Sequence, residues 1–450
     1  MKVKSLISAL WGIVVIVSSC SDTEFDVPQG QQGSTSGLVE VYADKSGSEE
    51  SLLAGNILVQ DSRTLELNVP AHVDKVYMKY STLSGEKSMK EFNLSPATRS
   101  GESAGDFGYA TSRKASVKLL LPEDAVQPTD ETDGGYLFYH NTGVVMFEDG
   151  WPTQPASWYD EDFNDVVFEY DLKVTECQSE EEMALRGSKE ELLLTLDVRA
   201  IGGMYPTKLG VVLENLDDQY IDRITAKLLL KGGQGKMIDL AKKELSTDPK
   251  VEIIARDWRW DSDAADAKLR YAALTVDTKP EEGTVITLDG LNDLKDNNQD
   301  FFQVTPGKVR EGLPMLRAEI RLIGKEGLTG VEREKQISAY RNLILDTQSQ
   351  NFFIVTHDNR EIHMRGYQPT SAYQEKYDEL VSKDANLDDL YSNDKGYTWG
   401  IKVPVGMRHA YEHVPFKEAY TKFLDWVESD GASNKDWYLH FDPEKTVRYW

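Results

Sequence analysis

A chain of 450 residues with 40% apolar side chains is long enough for two or three domains. Its formal net charge of −26 argues against nucleic acid or an anionic membrane surface as a partner. The 9 Trp, 21 Tyr and 14 Phe suffice for ordinary cores, which excludes global disorder. Cys20 and Cys177 are the sole cysteines, so a disulfide framework and a cysteine-based zinc site are excluded as well.

Residues 1–20 read as an export signal. Lys2 and Lys4 give a positive start, and Leu6 to Val17 an apolar stretch too short for a comfortable membrane span. Val17-Ser18-Ser19-Cys20 places small side chains before a cysteine and resembles a bacterial lipobox. Small residues fit the peptidase cleft, and the thiol accepts the diacylglycerol. The expectation is a lipid on Cys20 that ties the chain to a membrane. The acidic run from Ser21 to Asp26 is similar to the surface-export tag of Bacteroidetes lipoproteins, without its usual Lys. The expected location is therefore the outer membrane, lipid-anchored, with display at the cell surface. Residues 21–52, poor in large apolar groups after Pro28, are expected to be a tether.

From Leu53 the pattern turns β. Leu65, Leu67 and Val69 alternate with polar residues, as do Val76, Met78 and Tyr80. Residues 53–127 are expected to form a small antiparallel β-sandwich. The polar break from Pro128 to Gly135 marks a boundary, and residues 128–450 a larger β-rich domain. Its strand candidates are Tyr136–Tyr139, Gly143–Phe147, Val166–Val174, Leu192–Ala200, Leu209–Leu213, Val251–Ile254, Lys268–Val276, Thr284–Leu288, Leu316–Leu322 and Phe352–Val355. The clearest helix is Phe416–Glu428, where Phe416, Ala419, Tyr420, Phe423 and Trp426 recur at helical spacing after Pro415. The fold class is mostly β, with two sandwich-like regions and a short C-terminal helix.

The segment from Phe147 to Leu172 is dense in oxygen donors: Glu148, Asp149, Asp160, Asp162, Asn164 and Asp165. Asp160, Asp162 and Asn164 recur at every second position, which turns successive oxygens toward a common point. A hard divalent ion needs such a set, since Ca²⁺ takes six to eight oxygens in flexible geometry. The D-x-D-x-N start is similar to an EF-hand loop, but Asp165 stands where the turn glycine belongs. Val166, Phe168 and Tyr170 then alternate like a strand. These six residues are the expected ligands of a structural Ca²⁺ in a loop that leads into a strand; the competing reading is that they cap backbone turns.

The string FED-x-WP followed by D-x-D-F-N-D-V-V resembles the signature of the LruC domain family of Bacteroidetes and spirochaete outer-membrane lipoproteins. Ala200-Ile201-Gly202-Gly203, Leu209-Gly210-Val211, Gly366-Tyr367-Gln368-Pro369-Thr370 and the run from Tyr397 to Pro404 are further similarities, as are Glu412 and the aromatics up to Tyr438. Tyr159 departs from the glycine that the family usually has there. The resemblance implies a secreted, β-rich lipoprotein with a calcium loop, and no activity.

Catalytic motifs are weak. His409-x-x-Glu412-His413 fits the inverted zincin pattern, but Pro415 argues against a helix through His413. His357 and His363 are read as flanking a solvated turn, Asp289 to Asp300 as a hydrophilic loop, and Cys177 as inert. The expected function is a non-enzymatic, lipid-anchored envelope protein for adhesion or binding, its ligand a glycan or an envelope protein. The alternative is a secreted hydrolase, glycosidic or metal-dependent, with the acidic loop in its active site.

Overall fold

The computed structural model of the protein describes residues 37–96, 110–129, 132, 134–153, 161–178, 190–231, 237–259, 269–295, 303–307, 315–383, 387–388, 390–393, 398–404 and 406–447. Cys20 and the signal lie outside this set. The chain is mostly β, in several antiparallel sheets, as the alternating pattern leads one to expect.

Seven strands come first: β1 (Leu38–Tyr42), β2 (Leu52–Leu58), β3 (Arg63–Pro70), β4 (Lys75–Ser81), β5 (Lys87–Asn93), β6 (Ser95–Pro96) and β7 (Ser112–Leu119). Leu65, Leu67 and Val69 of β3 and Val76 and Met78 of β4 are buried in one cluster, because period-2 alternation turns each set toward the other layer. One layer is β3–β7–β6 and the other β2–β1–β4–β5. Within the span expected as tether, Leu38–Tyr42 is a strand, Glu49–Ser51 a short 3-10 turn and Leu52 the start of β2. Val39 and Val41 are buried, and Val41 pairs with Met78, so the short alternation of LVEVY is enough to seat β1 beside β4.

The second layer continues past the expected boundary. Ala54 and Gly55 of β2 pair with Tyr139 and Phe138 of β8 (Tyr136–Phe147). Next come β9 (Val166–Cys177), β10 (Glu191–Ala200), β11 (Pro206–Leu213), β12 (Ile221–Lys231), β13 (Met237–Ser246), β14 (Lys250–Trp258), β15 (Arg270–Lys279), β16 (Gly283–Asp289) and β17 (Met315–Gly324). After helix α1 (Gly330–Leu345) come β18 (Gln350–Thr356), β19 (Glu361–His363), helix α2 (Gln374–Val381), the two-residue β20 (Leu387–Asp388) and β21 (Ser392–Asn393), and β22 (Gly400–Pro404). The large sheet runs β13–β12–β17–β10–β9–β8–β2–β1–β4–β5 with β22 also on β8, and a second sheet runs β14–β15–β16–β11–β18–β19. The break near residue 130 thus separates two runs of strands that share one sheet and one apolar cluster.

The two large sheets pack face to face. Phe168 and Tyr170 of β9 meet Phe352 of β18 at ring distances of 5.7 and 4.9 Å. Each such fully buried side chain contributes roughly 1.5–3 kcal/mol. β8 is buried on both faces: Val145 and Phe147 enter this core, while Val144 and Met146 enter a second cluster. That second cluster holds Phe163, Val167, Ile401, Val403 and the C-terminal aromatics Phe416, Tyr420, Phe423, Trp426 and Trp437. The expected helix over Phe416–Glu428 is two short ones, α3 (Phe416–Ala419) and α4 (Phe423–Glu428). Tyr420 leaves helical geometry to bridge with Phe441, and its hydroxyl donates to Arg408 O at 2.6 Å. Among the described residues no helix is long and apolar enough to cross a membrane.

Lys402 is a polar exception inside this packing. Ile401 and Val403 face the second cluster, so Lys402 turns to the main core, 5.9 Å from the Tyr170 ring and 5.6 Å from that of Phe352. Its Nζ donates to Gln350 Oε1 at 3.2 Å. Burial pulls its pKa from 10.5 down to about 7. Unfolded, the lysine keeps its proton up to pH 10.5; folded, it gives the proton up near pH 7. The unfolded state binds more protons between those values, so this group makes folding more favourable as pH rises through them. Thermal melts should show Lys402→Met more stable than the parent at neutral pH, with the gap narrowing toward about pH 10. A gap that is independent of pH contradicts this reading.

Candidate metal centre

The acidic loop leaves β8 at Phe147 and enters β9 at Val166, at the seam between the two apolar clusters. Asp160 falls in the run 154–160, outside the described residues. The other five residues of the expected ligand set lie among the described residues. Glu148, Asp149, Asp162 and Asn164 are buried, at 3%, 7%, 3% and 1% exposure, and Asp165 is half-buried. They do not splay into solvent, because the residues beside them are held in cores: Trp151 stacks on Tyr377 at 5.6 Å, and Phe163 meets Phe416 edge-on at 5.2 Å.

Much of their negative charge is met by backbone amides. Glu148 Oε1 accepts from Phe163 N, and Asp149 Oδ2 accepts from Tyr205 N at 3.0 Å. Asp165 Oδ2 accepts from Asp149 N at 2.7 Å. Asp162 Oδ1 accepts from Asn164 N at 3.2 Å, and its Oδ2 from His413 N at 2.8 Å. Turn capping is therefore part of what these side chains do.

Positive charge gathers on one side of the loop. Lys295 donates its Nζ to Gly203 O, while Arg360 donates to Trp151 O. Burial raises the pKa of Asp149, against the pull of the Tyr205 amide, Arg360 and Lys295. Burial lowers that of Lys295, against Asp149, Asp165 and Glu412 in that order. The acidic run Asp289–Asp300 thus contributes a lysine to the site; Asp293 accepts from Tyr271 N at 2.7 Å, and residues 296–300 lie outside the described set.

The other side of the loop carries a different arrangement. Asn164 Nδ2 donates to Ala410 O at 3.3 Å, which fixes the amide, while Oδ1 meets no donor among the described residues. That oxygen faces Gly202. A Cβ at Gly202 would sit 2.1 Å from Asn164 Oδ1 and 3.1 Å from Glu412 Oε2, so both oxygens pack against a backbone position that has room only for glycine. Gly203 is packed as tightly, with a Cβ position 2.5 Å from Asp149 Oδ2. Asp162, Glu412 and His413 each offer a ligand atom within 4.8 Å of the others.

Glu412 and His413 are the partners that the loop's own spacing did not point to. The zincin pattern around them does not form. Ala410 bridges to Thr446, His413 has φ +62°, and the segment is extended and turned rather than helical. His409 is buried, in hydrogen-bond contact with Gln303 O at 2.8 Å, and burial takes its pKa down to about 3. It is held neutral and away from the acids. The other histidines divide: His357 is exposed and stacks on Tyr205, whereas His363 is fully buried on β19, 3.1 Å from Glu361 Oε2. The solvated turn is correct for His357 and not for His363, which faces the aromatic core of Phe353 and Tyr391. Cys177 is buried at the end of β9.

Residues 190–438 match a family described as a domain of unknown function, DUF4842. The crystal structure of a Bacteroides ovatus protein described as a "Putative lipoprotein" is similar at 64% identity and a TM-score of 0.85, covering 92% of this chain and all of that one. No curated protein matches the chain.

The packing around Gly202 generates a test. Gly202→Ala should destabilise the fold by about 1–3 kcal/mol, because the new methyl overlaps the Asn164 oxygen. Urea unfolding reads this as a lowered midpoint. An unchanged midpoint means that Asn164 swings away freely, and the tight packing at Gly202 is then not built in.

Proposed function

The chain belongs to the DUF4842 family, and from that premise we propose that it is a non-enzymatic, lipid-anchored protein of the outer membrane whose acidic loop holds a structural Ca²⁺. Its role would be adhesion or binding at the cell surface, toward a glycan or an envelope protein. The anchor is supported by the lipobox-like Val17-Ser18-Ser19-Cys20 and by the likeness to a Bacteroides ovatus protein described as a "Putative lipoprotein". The LruC-type reading is supported by the FED-x-WP and D-x-D-F-N-D-V-V strings and by the downstream similarities, several of which fall inside residues 190–438.

The ion reading is carried by Asn164 Oδ1. A buried amide oxygen with no hydrogen-bond donor is costly, about 1–3 kcal/mol. Near it lie Glu412, whose Oε2 also packs against Gly202, and Asp162, which offers a ligand atom within 4.8 Å of one on Glu412. A hard cation would satisfy that acceptor. Glu148, Asp149, Asp162 and Asn164 are buried, and the neighbouring aromatics Trp151, Tyr377 and Tyr391 pack on one another. That supports a structural ion over a hydrolytic centre.

Two measurements check the proposal. Differential scanning calorimetry with Ca²⁺ and then with chelator should show a higher melting temperature with the ion, worth about 2.7 kcal/mol at a hundredfold excess over Kd. Asp162→Ala and Asn164→Ala should lose that gain; a melt blind to Ca²⁺ removes the ion from the account. Labelling with an alkyne fatty acid in a bacterial host should mark the wild-type chain and leave Cys20→Ser unmarked. Equal labelling of both rejects the anchor.

A further inference from the structure

The geometry points to a second site, a small cavity for a primary ammonium ion on a short alkyl stem, where the N-terminal strands, β8 and the C-terminal module meet. It shares no lining residue with the acidic loop and does not depend on the Ca²⁺ reading.

The cavity measures about 260 Å³. That is below the roughly 300–1,000 Å³ of sites for drug-sized ligands, so its occupant is small. The polar loop between β1 and β2 forms one wall, with Asp44, Ser48, Glu50 and Ser51. The loop holds its own shape: Asp44 Oδ1 accepts from Ser46 N at 2.7 Å, and Ser51 N donates to Ser48 O at 3.1 Å. Asn68 and Pro70 of β3, His140 and Asn141 of β8, Pro404 of β22 and Leu439 of the C-terminal module close the other sides. Asn68, His140 and Asn141 are buried, whereas Asp44, Glu50 and Leu439 are exposed. The cavity thus has a polar floor and an acidic mouth.

Two carboxylates and no lysine or arginine line it. Lys45 and Arg199, the cations beside these acids, are engaged elsewhere. Lys45 turns to the Tyr77 ring, 5.4 Å from its centroid. Arg199 lies in the field of Glu50, but it is ion-paired with Glu169 and donates to Met407 O at 2.8 Å. His140 has Leu52 O 2.9 Å from Nδ1 and Asp171 Oδ1 3.1 Å from Nε2. Both partners accept, so both ring nitrogens carry protons, and Asp171 balances that charge. His72 meets the Tyr438 hydroxyl at 2.8 Å, and burial lowers its pKa, which keeps it neutral. A cleft lined by one sign of charge concentrates the opposite ion.

The class of cation follows from the rest of the wall. No Trp, Tyr or Phe lines the cavity, so a quaternary ammonium finds no aromatic cage and a flat ring no face to stack on. Acceptors are there instead, and a primary ammonium brings three donors to them. One acceptor is unmet: Asn68 is 5% exposed, and its Oδ1 has no donor among the described residues. No described residue holds the other end of that amide, so it is free to turn its oxygen to the cavity. Leu52, Leu53, Val73 and Pro404 give a short alkyl stem its apolar contact.

The test is isothermal titration of putrescine, and of butanediol as its uncharged counterpart, into the mature chain in detergent. Ca²⁺ is present, and the salt is about 0.15 M, which screens loose surface attraction. Expected is one putrescine bound per chain and no binding of butanediol. Asp44→Asn and Glu50→Gln should each weaken binding by about tenfold, and Asn68→Ala by about three- to tenfold. Glu123→Gln, which removes an equal charge from an exposed position outside the cavity, should stay within about twofold of the parent. If Asn68→Ala does not fold, as judged by circular dichroism, Ser48→Trp at the exposed mouth takes its place and should abolish binding. Butanediol bound as tightly as putrescine overturns the ammonium assignment. A parent that binds neither, or a loss in Glu123→Gln as large as in Glu50→Gln, overturns the site.

Discussion

Everything at the candidate site follows from the burial of three acids on one loop, Glu148, Asp149 and Asp162. β8 and the start of β9 are buried on both faces, one in the main sandwich and one under the C-terminal aromatics. The turn that joins them is pinned at Trp151 and Phe163. Its carboxylates must find partners within the protein, and they do so in two ways: backbone amides and the cations Lys295 and Arg360.

The rest of the acidity behaves differently. On the outer face of the large sheet, charges pair across strands. Arg317 forks onto Asp197, its register partner, at 2.6 and 2.7 Å, Lys227 meets Glu319, and Arg321 meets Glu191. Asp197 is buried, whereas the partly exposed pairs Lys227–Glu319 and Arg321–Glu191 contribute little stability each, about 0–1 kcal/mol. They suit a solvated face and keep like charges apart. The polar strand β13, with Lys242, Lys243 and Glu244, closes one edge of that sheet in a way that discourages pairing with another chain. Charge density alone therefore marks no site on this protein; burial does.

The sequence is legible where burial is one-sided or complete. β3, β4, β9 and β10 show their alternation or their apolar runs directly. β13 escapes notice because an edge strand with no buried residue has no period to read. α1 is hidden because its charged first turns and its late Leu343-Ile344-Leu345 run blur helical spacing, and because a buried Gln336, bonded to Glu190, stands in its packed face. The helix at Phe416 breaks because Tyr420 is drawn to Phe441 and Arg408, contacts that lie outside its own spacing. At the site, the loop's oxygens can be found from density and every-second-residue spacing. Glu412 cannot, since only the docking of the C-terminal module beneath β8 and β22 brings it to Asn164. The signal present in the sequence is the Gly202-Gly203 pair, whose missing side chains leave the room in which the two segments meet.

The most direct measurement is a crystal structure of the ectodomain grown with Mn²⁺ as an anomalous stand-in for Ca²⁺. The account predicts an anomalous peak at the acidic loop, within about 2.0–2.6 Å of Asn164 Oδ1. A map without that peak, with the Asn164 oxygen accepting from a protein donor or a water, contradicts it.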